Sequence, residues 1–208
     1  MLAQPLHDGR IQLPKIQPTL KTERLVLRPF TVADAPLVQI LAGDKDVAST
    51  TRLIPHPYPD GLAVSWISTL PSKYQQGDGV SFAITLKEGA LIGSIGLILS
   101  LADHHGELGY WIGKPYWNSG YCTEAAAAML QFAFDTLDLE RVFAKYMGKN
   151  PASGRVMAKL GMTQEGILRH HRCKWGQFED LVVCGILRSE WQTLAKARAK
   201  RRTRTKND

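Results

Sequence analysis

The segment Trp117-Asn118-Ser119-Gly120-Tyr121-Cys122-Thr123-Glu124 places small residues and a glycine just before an alanine-rich run. That pattern suits the binding of an anion. The first N–H groups of a helix have no intrahelical acceptor, and the helix dipole adds partial positive charge, so a pyrophosphate fits there. Gly120 lets the backbone come close to such a ligand. Cys122 lies at the same helix start, a place that can lower a thiol pKa and create a nucleophile, although a small apolar residue also belongs there. His104-His105 and His170-His171 with Cys173 supply zinc-type donors. Adjacent histidines match neither finger nor ribbon spacing, so no metal is expected. The same histidines fall in predicted loops, where they would line a binding pocket. Trp66, Trp111 and Trp117 would either line a groove or pack in the core. Neither a Walker lysine pattern nor a dinucleotide glycine triplet is present.

The elements that must hold these residues read as follows. Leu25–Arg28 is β-like. Thr31 with Asp34 resembles a capping box before a helix through Ala35, Leu37, Val38 and Leu41, stopped at Gly43. Residues 52–60 hold three prolines and read as a loop. Asp60 can cap a second helix that Pro71 kinks or ends. Ser81–Leu86 and Ala90–Ser100 form a hairpin around Lys87-Glu88-Gly89. Glu107–Ile112 is a third strand, entered by the turn Asp103–Gly106. The loop Gly113–Cys122 leads to a helix over Thr123–Asp135, then a strand over Leu139–Tyr146. Asn150-Pro151 starts a further helix, closed at Gly161. Strands Gln164–Leu168 and Glu179–Leu187 flank a turn at Trp175-Gly176, and a last helix begins near Ser189. This order predicts one α+β domain with a mixed sheet.

A chain of 208 residues can build one sizeable core. No apolar run is long enough to span a bilayer, and the N-terminus lacks a secretory pattern, so no membrane partner is expected. Three separated cysteines, an odd number, argue against a disulfide framework and for a reducing, cytoplasmic setting. Seven basic residues between Lys196 and Lys206 account for the whole net charge of +7. The rest of the chain is neutral. We therefore divide it into an irregular arm (1–18), a folded domain (19–195) and a basic, disordered tail (196–208), which would make at most a weak, salt-sensitive contact with a polyanion.

The runs Glu107-Leu108-Gly109-Tyr110-Trp111-Ile112-Gly113 and Tyr116 to Ala125 resemble the coenzyme A motif of the GNAT acetyltransferases. With Thr22–Pro29, Asn150-Pro151-Ala152-Ser153, Lys159–Met162 and Glu165-Gly166 in order, the likeness covers Thr22 to Trp191. It is nearest to the branch containing the RimJ and RimL ribosomal-protein N-acetyltransferases. The resemblance implies a GNAT fold: a mixed, mostly antiparallel sheet flanked by helices, with splayed central strands that bind coenzyme A. It implies direct acetyl transfer from acetyl-coenzyme A to a primary amine, in the first place the α-amine of a protein such as a ribosomal protein. Small amines (polyamines, antibiotics, amino acids) are the alternative acceptors, and a non-catalytic ribosome- or polyanion-binding scaffold is the alternative to an enzyme. A monomer and a homodimer both remain open.

By the same resemblance, a bulge in the Glu107–Ile112 strand frees the amides around Tyr110, Trp111 and Ile112 for the thioester and pantetheine arm. The phosphate site comprises Trp117, Asn118, Ser119, Gly120, Tyr121, Cys122 and Thr123. Glu107 is the candidate general base, and burial would raise its pKa toward neutrality. Asn150 contacts the cofactor arm, unless it only caps its helix. Ser153 lies near the sulfur and protonates the leaving thiolate, with Tyr146 a second candidate acid. Trp117 stands where the family commonly has Arg or Gln, and Cys122 where it has Gly or Ala. Binding here would then rest chiefly on backbone amides.

Overall fold

The structure is a computed structural model that describes residues 13–204. A short β1 (Leu20–Lys21) and β2 (Leu25–Pro29) precede α1 (Ala35–Gly43), α2 (Lys45–Thr50) and α3 (Leu62–Gln76). The meander β3 (Gly79–Leu86), β4 (Leu91–Ser100), β5 (His105–Ile112) leads to α4 (Tyr121–Gln131), which a π-helical turn extends to Thr136. Then follow β6 (Arg141–Met147), α5 (Pro151–Leu160), the hairpin β7 (Thr163–Lys174) and β8 (Gln177–Leu187), and α6 (Arg188–Arg204). The eight strands form one sheet in the order β1-β2-β3-β4-β5-β6-β8-β7. Every neighbouring pair is antiparallel except β5 with β6. A parallel pair needs a crossover, and α4 supplies it.

Alternation along β3 separates two cores. Phe82 and Ile84 face the large cluster with α4, where Ala125, Ala126, Met129 and Leu130 are fully buried. Ala83 faces the smaller cluster under α1 and α3, with Val38, Ala42, Ala63 and Ile67. The alanines of α4 let that helix sit close to the sheet, which fixes the loop at its N-terminus.

The feature that makes a site is the short pairing of β5 with β6. It runs only from His105↔Arg141 to Leu108↔Ala144. Both strands continue beyond it, β5 to Ile112 and β6 to Met147, so a cleft opens between them. The expected bulge is absent from β5, which pairs with β4 from His105 to Ile112 without a register shift. Loss of the β6 neighbour, rather than an inserted residue, is what frees the backbone.

Other differences have local causes. Asp60 does not cap α3: its Oδ1 accepts from Gln39 Nε2 at 2.7 Å, and Gly61, at φ 75°, takes the cap position. Pro71 lies inside α3, which runs on to Gln76. The unforeseen α2 is capped by Asp44, whose Oδ1 accepts from Asp46 N at 2.8 Å. α4 starts at Tyr121 rather than Thr123, with Gly120 at its cap. α6 carries the chain in helix to Arg204, because alanine, lysine and arginine are strong helix formers. Residues 1–12 of the arm and 205–208 of the tail lie outside the described residues.

Candidate active site

The phase of the β4–β5 ladder decides which amides enter the cleft. Gly113 N donates to Ile92 O at 2.8 Å. Hydrogen-bonded pairs recur every second residue, so Trp111 bonds back to Ser94, while the N–H groups of Tyr110 and Ile112 point away from β4. Two of the three amides singled out by the sequence thus face the gap, and that of Trp111 does not. Ile112 O on the same edge accepts from Trp117 Nε1 at 2.6 Å. Trp117, at the position where the resemblance led us to expect Arg or Gln, braces the loop to its strand.

The loop itself turns on two left-handed residues, Asn118 (φ 60°) and Gly120 (φ 79°). The first helical bond of α4 runs from Glu124 N to Gly120 O at 3.1 Å. The N–H groups of Tyr121, Cys122 and Thr123 precede it, and no side chain caps them. Uncapped N–H groups at a helix N-terminus are suited to an anion.

A half-exposed polar knot that the sequence did not reveal holds this loop. Glu124 Oε1 accepts from Thr22 Oγ1 (2.6 Å) and Arg24 N (2.8 Å), and Oε2 accepts from Arg24 Nε (2.7 Å). Arg24 Nη1 also donates to Ser119 O at 2.9 Å, and its guanidinium lies 4.7 Å from the centre of the Tyr121 ring. Burial pushes the Glu124 carboxyl up, but these hydrogen bonds outweigh it and leave its pKa below the usual value. A depressed folded-state pKa contributes stability above the unfolded-state pKa and loses it as pH falls through the folded one. Replacing Glu124 by Gln should therefore cost about 1–3 kcal/mol at pH 7. The Tm gap from the parent should close in acid. A gap independent of pH would assign Glu124 a purely steric role.

One cavity of ≈ 770 Å³ joins this loop to the β5–β6 cleft. Its wall includes Glu107, Tyr110, Trp111, Ile112, Trp117, Asn118, Gly120, Tyr121, Cys122, Thr123, Tyr146, Asn150 and Ser153. Ser119 stays outside it, with its Oγ donating to Trp117 O at 3.3 Å. Asn150 Oδ1 caps α5 by accepting from Ser153 N at 3.2 Å, which leaves the amino half of the amide for the cavity. Ser153 Oγ and Tyr110 Oη share a 2.7 Å hydrogen bond across the floor. Burial raises the Tyr110 pKa, the neighbouring Cys122 adds to the rise, and the Ser153 bond opposes it. Burial also raises the Tyr146 pKa. That hydroxyl rests against Gly154, where a Cβ would meet it at 2.7 Å.

At the other end, about 16 Å along β5 from Ile112 by strand rise, Glu107 lies between two cations. Arg52 Nη1 donates to its Oε1 at 2.9 Å, and Lys145 Nζ to its Oε2 at 3.3 Å. Neither partner was legible beforehand, since they lie 55 and 38 residues away along the chain. Glu107 thus occupies a charged setting, its side chain 19% exposed. Arg52 belongs to the segment between α2 and α3, and β7 ties that segment down. Arg172 Nη2 donates to Arg52 O at 2.7 Å and Lys174 Nζ to Ile54 O at 2.6 Å.

The chain matches the family profile "Acetyltransferase (GNAT) domain" over residues 24–163. It belongs to the GNAT acetyltransferase family. It is 31% identical over 176 residues to "Uncharacterized N-acetyltransferase YoaA" of Bacillus subtilis, spanning 82% of this chain and 97% of that one. It is 26% identical over 189 residues to "[Ribosomal protein uS5]-alanine N-acetyltransferase" of Escherichia coli, spanning 88% and 96%. A GNAT-family acetyltransferase structure from Bacillus anthracis superposes with a TM-score of 0.73 at 28% identity, spanning 83% and 99%. The protein is thus an acetyl-coenzyme A-dependent N-acetyltransferase with the GNAT fold.

In this GNAT acetyltransferase several readings change. The tryptophans do both jobs: Trp66, Trp111 and Trp117 line the cavity, and Trp66 and Trp111 also pack on the smaller core. None of His104, His105, His170 and His171 lines the cavity. His105 opens β5 against the Phe143 ring, and His170 lies within β7, stacked on Phe178. Among the described residues no group of His, Cys, Asp and Glu is arranged to hold a metal, and no helix is long and apolar enough to cross a membrane. All three cysteines are free. Cys122 is no activated thiol: burial pushes its pKa up to about 12, against the lowering expected from the helix terminus. A thiol reagent at neutral pH should label exposed Cys173 at least about tenfold faster than Cys122. Peptide mapping reads the two rates, and faster labelling of Cys122 would contradict its burial.

Proposed function

We propose that this enzyme acetylates the α-amine of a protein N-terminus in the cytoplasm by direct transfer, without an acyl-enzyme. The observation that carries this reading is the single cavity that holds both the uncapped amides at Tyr121–Thr123 and the carboxylate of Glu107. The relative that acts on alanine of ribosomal protein uS5 supports a protein acceptor.

Acetyl-coenzyme A supplies the acetyl group as a thioester. The amides of Tyr121, Cys122 and Thr123, with Asn118 and Gly120 of the preceding turn, hold its pyrophosphate. The Tyr110 and Ile112 edge of β5 hydrogen-bonds the pantetheine arm as an added strand would, and Trp111, Trp117 and the Asn150 amino group complete the wall. Glu107 takes the proton from the acceptor ammonium, directly or through water. As the new N–C bond forms, the C–S bond breaks and the sulfur needs a proton. Ser153, linked to Tyr110, delivers it, and Tyr146 is the second donor within the cavity. Cys122 fills space.

A thiol-release assay with acetyl-coenzyme A and a panel of N-terminal peptides, polyamines and amino acids tests the acceptor. Peptide turnover well above that of the polyamines is the expected result. Turnover confined to small amines would replace the protein acceptor, and silence across the panel would leave a binding scaffold.

A further inference from the structure

We propose that the acceptor carries a carboxylate close to the reacting amine, and that Arg52 and Lys145 recognise it. This rests on the reading of Glu107 as marking the acceptor end of the cavity.

The whole-chain charge says nothing here, because the tail contains it. The local charge is informative. At the acceptor end the cavity wall presents Arg52 and Lys145 around the single carboxylate of Glu107. Behind them, Arg172 and Lys174 latch the 51–61 segment through backbone carbonyls rather than through acids. Two cations on the wall therefore face one carboxylate. Lys174 is 6% exposed, and burial lowers its pKa, as do the neighbouring Arg172 and Lys149. The nearby Lys149–Glu179 pair is self-neutral.

Such a field repels a polyamine or a lysine-rich terminus. It favours the neutral form of any amine brought into it. A carboxylate one residue from the amine supplies the missing negative charge, since Arg52 can present its second terminal nitrogen to it and Lys145 its remaining N–H groups. Both side chains are only partly exposed, 35% for Arg52 and 25% for Lys145, so water does not fully screen the contact.

The test compares kcat/KM for three amidated tetrapeptides that begin Ala-Asp, Ala-Asn and Ala-Lys, with free aspartate and putrescine as further acceptors. Ala-Asp should exceed Ala-Asn by roughly tenfold, and Ala-Lys should fall below both. The ratio of Ala-Asp to Ala-Asn should drop toward one in Arg52→Gln, and also in high salt. Lys145→Gln reads the same ratio should Arg52→Gln not fold. Equal rates for Ala-Asp and Ala-Asn would overturn the proposal, as would a ratio unchanged in both variants. If no peptide reacts, the protein-acceptor reading fails by itself. Aspartate acetylated in preference to putrescine would then uphold the anionic acceptor, and the reverse would overturn it.

Discussion

Replacing Glu107 with Gln should lower kcat by roughly 10²- to 10⁴-fold near neutral pH, the contribution typical of general acid–base catalysis. Gln keeps the size of the side chain and an oxygen that can accept from Arg52, so the wall of the cavity should persist. Coenzyme A affinity should change little, because Glu107 lies at the far end of β5 from the phosphate loop. The deficit should shrink as pH rises, since an α-amine with a pKa of about 8 loses its proton to solvent. A parallel loss at every pH would point to a positioning role through Arg52. An unchanged kcat would remove Glu107 from the mechanism.

The second large effect is expected at Gly120. Its φ of 79° lies in the left-handed region, which a β-branched residue enters only under strain. A Cβ there would also touch Arg24 Nη2 at 3.4 Å, ordinary contact that further methyl groups would crowd. In Gly120→Val the loop must shift, and the amides of Tyr121, Cys122 and Thr123 shift with it. A hydrogen bond to a charged group contributes about 1.5–3 kcal/mol, so losing even one weakens coenzyme A binding at least about tenfold. Titration calorimetry with coenzyme A measures this directly. Affinity within about twofold of the parent would mean that the phosphate site is not built on these amides.

Features whose cause is local could be read from the sequence. In the capping segment the Asp34 carboxylate accepts from Thr31 N at 2.8 Å, as the spacing predicts, and the chelating Arg28 is also close in sequence. Asn150-Pro151 starts α5 and Gly161 closes it, because each acts on its own turn. The glycine turn that opens α4 was legible for the same reason. What escaped depends on distant partners. Asp60 lost its capping role to Gln39, a competitor that only the packing of α1 and α3 brings near. The Arg24–Glu124 knot spans 100 residues, and the cations around Glu107 come from a proline-rich loop and the neighbouring strand. For Cys122 the sequence left both an activated thiol and a space-filling residue open, because a helix terminus and burial push a thiol in opposite directions, and only the fold says which prevails. The freed backbone of β5 was anticipated, but its cause is the ending of a strand pairing, which no single strand encodes.

The central claim, direct transfer of acetyl from coenzyme A to an amine inside the β5–β6 cleft, is tested most directly by single-turnover mass spectrometry. Enzyme, acetyl-coenzyme A and an N-terminal peptide are mixed and quenched at short times, with Glu107→Gln in parallel. One acetyl group should appear on the peptide α-amine, none on the enzyme, and the variant should lag far behind. An acetylated enzyme forming first, or equal transfer by the variant, would contradict it.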